Sequence, residues 1–215
     1  MRIVLFGATG YAGGRLAKEA LSRGHEVVGV ARDVSALEQG GGLTARRGSL
    51  HDADFVVDVT RDADAVLIAT PGRPLEDGKK LLDAVPTLFD AARKNGFRLG
   101  VVGGAGSLRV AEGGPRVIDT PEFPEEFKPE AGSHAEVLDA LREAPRHVDW
   151  FYVSPPAVFG AYAPGERTGT YRVGGDLLLS DADGNSTIGG DDYALAFIDE
   201  LDRPAHRRTR FTVAY

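Results

Sequence analysis

The sequence predicts a doubly wound α/β fold on a mostly parallel sheet, and three observations carry that prediction. Short apolar runs alternate with helix-like stretches through the first half of the chain. The first of these runs feeds directly into a glycine-rich turn. The 215 residues, 42% hydrophobic, suffice for one sizeable core but not for two full domains. The expected organisation is one domain over 1–215, with 155–190 as a lid and substrate-side region and a small C-terminal substrate-side lobe.

The elements follow in order. Ile3-Val4-Leu5-Phe6 predicts a first strand over 2–6, and Val66-Leu67-Ile68 a strand over 65–69. Such uninterrupted apolar runs suit strands covered by helices on both faces. Leu16, Ala17, Ala20 and Leu21 recur at helical spacing, which predicts a helix over 11–22 that stops at Gly24. Further strands are expected over 26–31, 43–48 and 97–102, with a helix over 81–94 ending at Asn95-Gly96. Strands alternating with helices imply right-handed crossovers.

The second half opens with a proline-rich loop over 119–129, where fixed dihedrals interrupt a helix. A helix over 130–143 and a sixth strand over 149–153 follow, the strand stopped by Pro155-Pro156. The stretch 157–169 is rich in Gly, Pro and aromatic residues and reads as a lid or binding loop. Asp181-Ala182-Asp183-Gly184-Asn185 reads as a hairpin turn between short strands, before a helix over 191–201 and a last strand over 209–215. No internal repeat or low-complexity tract is present.

Composition excludes several functions. A net charge of -7 argues against nucleic acid or an anionic membrane as partner, because an acidic surface repels polyphosphate. Any bound anion must be held locally. With no cysteine there is no disulfide, thiolate metal site or cysteine nucleophile. Neither a signal-peptide pattern nor an apolar run near the roughly 20 residues of a membrane span occurs, so the expectation is a cytoplasmic protein. The histidines lack zinc-site spacing, and Asp181, Asp183 and Asn185 lack the closing glutamate of a calcium loop, so no metal is expected. Gly-x-Ser-x-Gly is absent, which disfavours a serine hydrolase.

The strongest motif is Gly7-Ala8-Thr9-Gly10-Tyr11-Ala12-Gly13, placed between the first strand and the first helix. There, backbone N–H groups and the helix dipole favour a pyrophosphate. Gly7 allows the tight turn, Gly10 the approach of phosphate to the backbone, and Gly13 close packing of helix on strand. This is the dinucleotide-binding arrangement of a Rossmann-type sheet. At the end of the second strand, where an acid accepts from the ribose of NAD, stand Arg32 and Asp33. Arg32 points to the 2'-phosphate of NADPH, while Asp33 keeps NADH open.

These residues, with Val101-Val102-Gly103-Gly104-Ala105-Gly106-Ser107 and Val153-Ser154-Pro155-Pro156-Ala157, resemble the atypical short-chain dehydrogenase/reductase superfamily. Three further segments sharpen the likeness: Asp119-Thr120-Pro121-Glu122-Phe123-Pro124, then Pro164-Gly165-Glu166-Arg167-Thr168-Gly169, then Asp192-Tyr193-Ala194 before Phe211-Thr212-Val213. Together they resemble a bacterial NADH-flavin reductase group akin to biliverdin reductase B and NmrA-like proteins. The resemblance implies that Gly7, Thr9, Gly10, Tyr11 and Ala12 hold pyrophosphate and that Arg32 meets the adenosine phosphate. It also implies that Leu50 lies near adenine and that Ala69, Thr70 and Pro71 line the ribose and nicotinamide side.

The catalytic pattern departs from the ordinary dehydrogenase. No Tyr-x-x-x-Lys pair exists in the chain; on the helix where it belongs, the matching positions hold Glu130 and His134. Chemistry that needs no enzyme tyrosine is therefore expected, such as hydride transfer to a flavin, quinone or similar small-molecule acceptor. Ser107 and His134 are the candidate catalytic groups. Phe159, Tyr162, Glu166 and Arg167 are candidate substrate contacts in the lid, with a salt bridge ordering that loop as the alternative for the last two. Two other functions stay open: a non-catalytic NADP-binding sensor or interaction protein, and an NADP-using isomerase or epimerase. A homo-oligomer is compatible with either.

Overall fold

The computed structural model describes residues 1–75 and 77–215. Five strands form the first half: β1 (Arg2–Phe6), β2 (Glu26–Ala31), β3 (Leu43–Arg47), β4 (Ala65–Ile68) and β5 (Arg98–Val102). Three helices connect them: α1 (Tyr11–Ser22), α2 (Ala53–Val59) and α3 (Leu81–Asn95). Then come α4 (Lys128–Arg142), β6 (Trp150–Ser154), β7 (Arg172–Gly174), α5 (Gly190–Asp202) and β8 (Thr209–Ala214). The sheet order is β3-β2-β1-β4-β5-β6-β8-β7. All pairings are parallel except that of β7 with β8, so the fold is a Rossmann-like, doubly wound sheet with one antiparallel edge.

Alternation along the strands explains their continuous apolar runs. Val4 and Phe6 face a core shared with α2, α3 and α4, whereas Ile3 and Leu5 face a second core shared with α1 and α5. Both sets are buried, as successive side chains on a doubly covered strand must be. Burying a side chain such as Leu16, at the centre of the α1 stripe, contributes about 1.5–3 kcal/mol. The C-terminal region joins this same framework: α5 packs against α1, and β8 pairs with β6.

Four local features differ from the sequence expectation. Helix α2 was not foreseen; its seven residues are few for a periodic signal, yet Asp52 caps it by accepting from the Phe55 N–H. Helix α4 begins at Lys128, two residues early, because Pro129 lies in its first turn, where a missing N–H costs nothing. The turn at 181–185 forms, with the Asp181 carboxylate accepting from the N–H groups of Asp183 and Asn185, but no strands flank it. The antiparallel edge is made instead by the three-residue β7, too short to show alternation.

Candidate functional site

The strand order reverses between β1 and β4: the chain winds from β1 outward to β3, then returns to β4 on the other side. Ligands of open α/β sheets collect at such a point, beyond the carboxyl ends of the strands. A crevice of about 260 Å³ opens there. Gly7, Thr9 and Gly10 line it from the turn after β1, Arg32 from the end of β2, and Leu50 from the segment after β3. Ala69, Thr70 and Pro71 line it from the segment after β4.

The glycines are required by contact. Gly7 has φ +83°, and a Cβ there would lie 2.5 Å from the Ala69 carbonyl oxygen. A Cβ on Gly13 would lie 2.0 Å from the Gly7 carbonyl oxygen, so Gly13 serves the packing of helix on turn and does not line the crevice. Gly10 caps α1 without a side-chain hydrogen bond, and the first helical turn carries no acid. The amides of that turn, Tyr11 and Ala12 among them, thus meet no competing carboxylate.

The Tyr11 side chain points away from the crevice: its ring lies under the Arg15 guanidinium at 3.9 Å, and its hydroxyl donates to the Pro164 carbonyl at 3.2 Å.

The walls carry positive charge. Arg32 and Arg73 line the crevice, and among the described lining residues none is acidic. Asp33 is turned aside, its carboxylate accepting from the Ser35 N–H at 2.9 Å. The Thr70 hydroxyl is buried without a hydrogen-bond partner among the described residues, which is costly unless a ligand supplies one. Uncapped amides, glycine surfaces, cationic walls and this orphan hydroxyl fit a dinucleotide phosphate and ribose. Sequence reasoning missed Ser49, His51, Arg73, Leu75 and Leu81 on these walls. The signal for Ser49 and His51 was their adjacency to Leu50.

Beyond Pro71 the backbone is held from α4. The Glu130 carboxylate accepts from the N–H of Gly72 at 2.8 Å and of Arg73 at 2.9 Å, and lies 3.3 Å from His134 Nε2. Burial opposes its charge, but the His134 contact and the two amides outweigh burial and hold the carboxyl at about 2. The His134 ring sits under Gly72, where a Cβ would approach Cδ2 to 2.7 Å. It is only 6% exposed and does not line the crevice. Tyr152, fully buried, accepts from the Gly104 N–H and donates to the His134 carbonyl, with burial pushing its hydroxyl pKa up.

Ser107 lies elsewhere, in a separate hollow where its hydroxyl accepts from Arg210 at 3.3 Å. In the 157–169 loop, Phe159 and Arg167 are tied to the two helices on the α1 face. Phe159 packs edge-on to Tyr11 with ring centroids 5.4 Å apart and against Tyr193 at 4.5 Å. Arg167 pairs with the buried Glu19 of α1 at 2.8 Å, the loop-ordering salt bridge held open as the alternative. The Glu166 carbonyl oxygen lies 3.0 Å from the Tyr215 hydroxyl oxygen. Tyr162 is 69% exposed. Among the described residues, no group of three or more His, Asp or Glu side chains converges as a metal site. No described helix is long and apolar enough to cross a membrane.

Comparison with known proteins agrees with this geometry. A protein-family model described as NAD(P)H-binding matches residues 7–204. The uncharacterised protein YwnB of Bacillus subtilis is 38% identical over 220 residues, covering 99% of this chain and 98% of its own. A Bacteroides thetaiotaomicron structure provisionally named an epimerase is 38% identical with TM-score 0.88, covering 100% of this chain and 96% of its own. A Streptococcus pneumoniae structure provisionally named an NADH-flavin reductase is 32% identical with TM-score 0.86, covering 100% and 99%. The chain belongs to the NAD(P)H-binding family, in a group like the atypical short-chain dehydrogenase/reductases.

Proposed function

We propose that the protein is an NADPH-dependent reductase that passes hydride to a flat, conjugated small molecule such as a flavin or quinone. The observation that carries the cofactor choice is the contrast between Arg32, which lines the crevice, and Asp33, whose carboxylate is taken by Ser35. A guanidinium at this place favours a 2'-phosphate, and a carboxylate withdrawn from it offers the bare ribose little. Bound NADPH would supply the hydride. The glycine turn would hold its pyrophosphate, Thr70 would meet a polar group of the cofactor, and the 71–73 segment would set the nicotinamide side.

The missing Tyr/Lys pair supports an acceptor that needs no enzyme proton donor. In its place Glu130 is engaged by amides and His134, so its carboxylate supports backbone and solvent supplies the proton. His134 acts in this reading as a support beneath Gly72. The name of the 32%-identical Streptococcus pneumoniae relative is consistent with a flavin acceptor.

NADPH oxidation by purified protein with FMN, riboflavin and quinones is the test. Turnover with at least one is expected; none with any would overturn the reading. The name of the Bacteroides thetaiotaomicron relative favours a second reading, an epimerase using NADP without net turnover. That enzyme would form product with no build-up of the opposite redox form of the cofactor.

A further inference from the structure

We propose that the hollow around Arg210 is a second anion site, independent of the cofactor crevice, that takes a phosphate group. The chain is acidic overall, yet four guanidinium groups line one space of about 150 Å³. They come from three separate parts of the fold: Arg210 from β8, Arg142 from α4, and Arg109 and Arg116 from the segment after β5. Cations converging from several directions suit a tetrahedral ion with acceptors on all sides better than a planar carboxylate. A water molecule's share of volume is about 30 Å³, so the space admits a phosphate group.

Arg210 makes this a built site. Its side chain is 3% exposed, and a buried guanidinium is retained only when its donors are met. Its Nη1 donates to the hydroxyls of Ser107 at 3.3 Å and Ser154 at 3.2 Å, which fix the guanidinium facing the hollow. Its Nε and Nη2 both donate to one oxygen of Asp176, the residue at the rim. Asp176 Oδ1 also lies 3.5 Å from Arg142, while its side chain stays 62% exposed. One exposed carboxylate thus bridges the buried arginine and the arginine on the wall, the place a ligand oxygen would take. Three carboxylates pair with these cations, Asp119 on Arg116, Asp139 on Arg142 and Asp176 on Arg210, and Arg109 has no acidic partner among the described residues. The local balance is positive in a chain of the opposite sign.

The test is calorimetric titration of inorganic phosphate into the protein saturated with NADP⁺, against chloride at matched ionic strength. Saturable one-to-one binding is expected. Arg142→Ala, at an exposed helix end, should weaken it at least tenfold. Asp176→Asn should tighten it severalfold, because it removes the competing carboxylate, whereas a purely structural ion network predicts no gain. Arg32→Ala should leave it unchanged, which separates this site from the cofactor reading even if NADP⁺ does not bind. Absence of saturable binding, or binding abolished by Arg32→Ala and kept in Arg142→Ala, would overturn the proposal.

Discussion

The carboxylate of Glu130 accepts a hydrogen bond from the N–H of Gly72 at 2.8 Å, joining positions 58 residues apart. It fastens the segment after β4 to α4 and so fixes the far wall of the crevice. Because its other oxygen accepts from Arg73, the pair of amides is held as a unit.

The clamp should be visible in acid. Burial favours the neutral form, but the His134 contact and two amide donors hold the Glu130 carboxyl at about 2, below its ordinary 4.5. A depressed carboxyl stabilises the fold above the unfolded value and loses that contribution as pH falls through the folded one. The Tm gap between wild type and Glu130→Gln should therefore be full above pH 4.5 and shrink toward pH 2. A gap that does not change with pH would remove the charge from the explanation.

Gly72→Ala should destabilise the protein by about 1–3 kcal/mol, the usual cost of overpacking. The added methyl would meet the His134 ring at 2.7 Å and the Glu130 carbonyl at 3.0 Å. In chemical denaturation, pairing it with His134→Ala should recover part of the loss, since contacting sites couple by about 0.5–3 kcal/mol. Strict additivity would place the ring elsewhere.

Arg32→Ala should weaken NADPH about ten- to a hundredfold, the worth of a charge-assisted hydrogen bond of about 1.5–3 kcal/mol. NADH should bind nearly as before. Fluorescence titration with both cofactors measures the difference, and equal losses would take Arg32 out of 2'-phosphate recognition.

The lid should depend on one buried acid. Asp192, 0% exposed, accepts from the Thr168 N–H and hydroxyl, the Gly169 N–H and the Tyr215 hydroxyl. Asp192→Ala leaves those donors without their acceptor and should cost at least about 2 kcal/mol. Limited proteolysis should then cut within 164–170 faster than in wild type. Unchanged cleavage there would mean that the Arg167–Glu19 pair alone keeps the loop in place.

The sequence by itself determined the β1, glycine turn and α1 unit, the alternation of strands and helices, and part of the crevice lining: Gly7, Thr9, Gly10, Arg32, Leu50, Ala69, Thr70 and Pro71. Those signals are local: a period of apolar residues, or a glycine that the backbone demands at a given turn. Short α2 and β7 escaped because seven and three residues hold too little periodicity. Only the tertiary structure decided that Ser107 meets Arg210 across 103 residues of chain. It alone decided that Glu130 and His134 support a backbone segment. Such meetings depend on how far-apart elements pack over the sheet, and side-chain partners brought together by packing leave no spacing in the sequence to read.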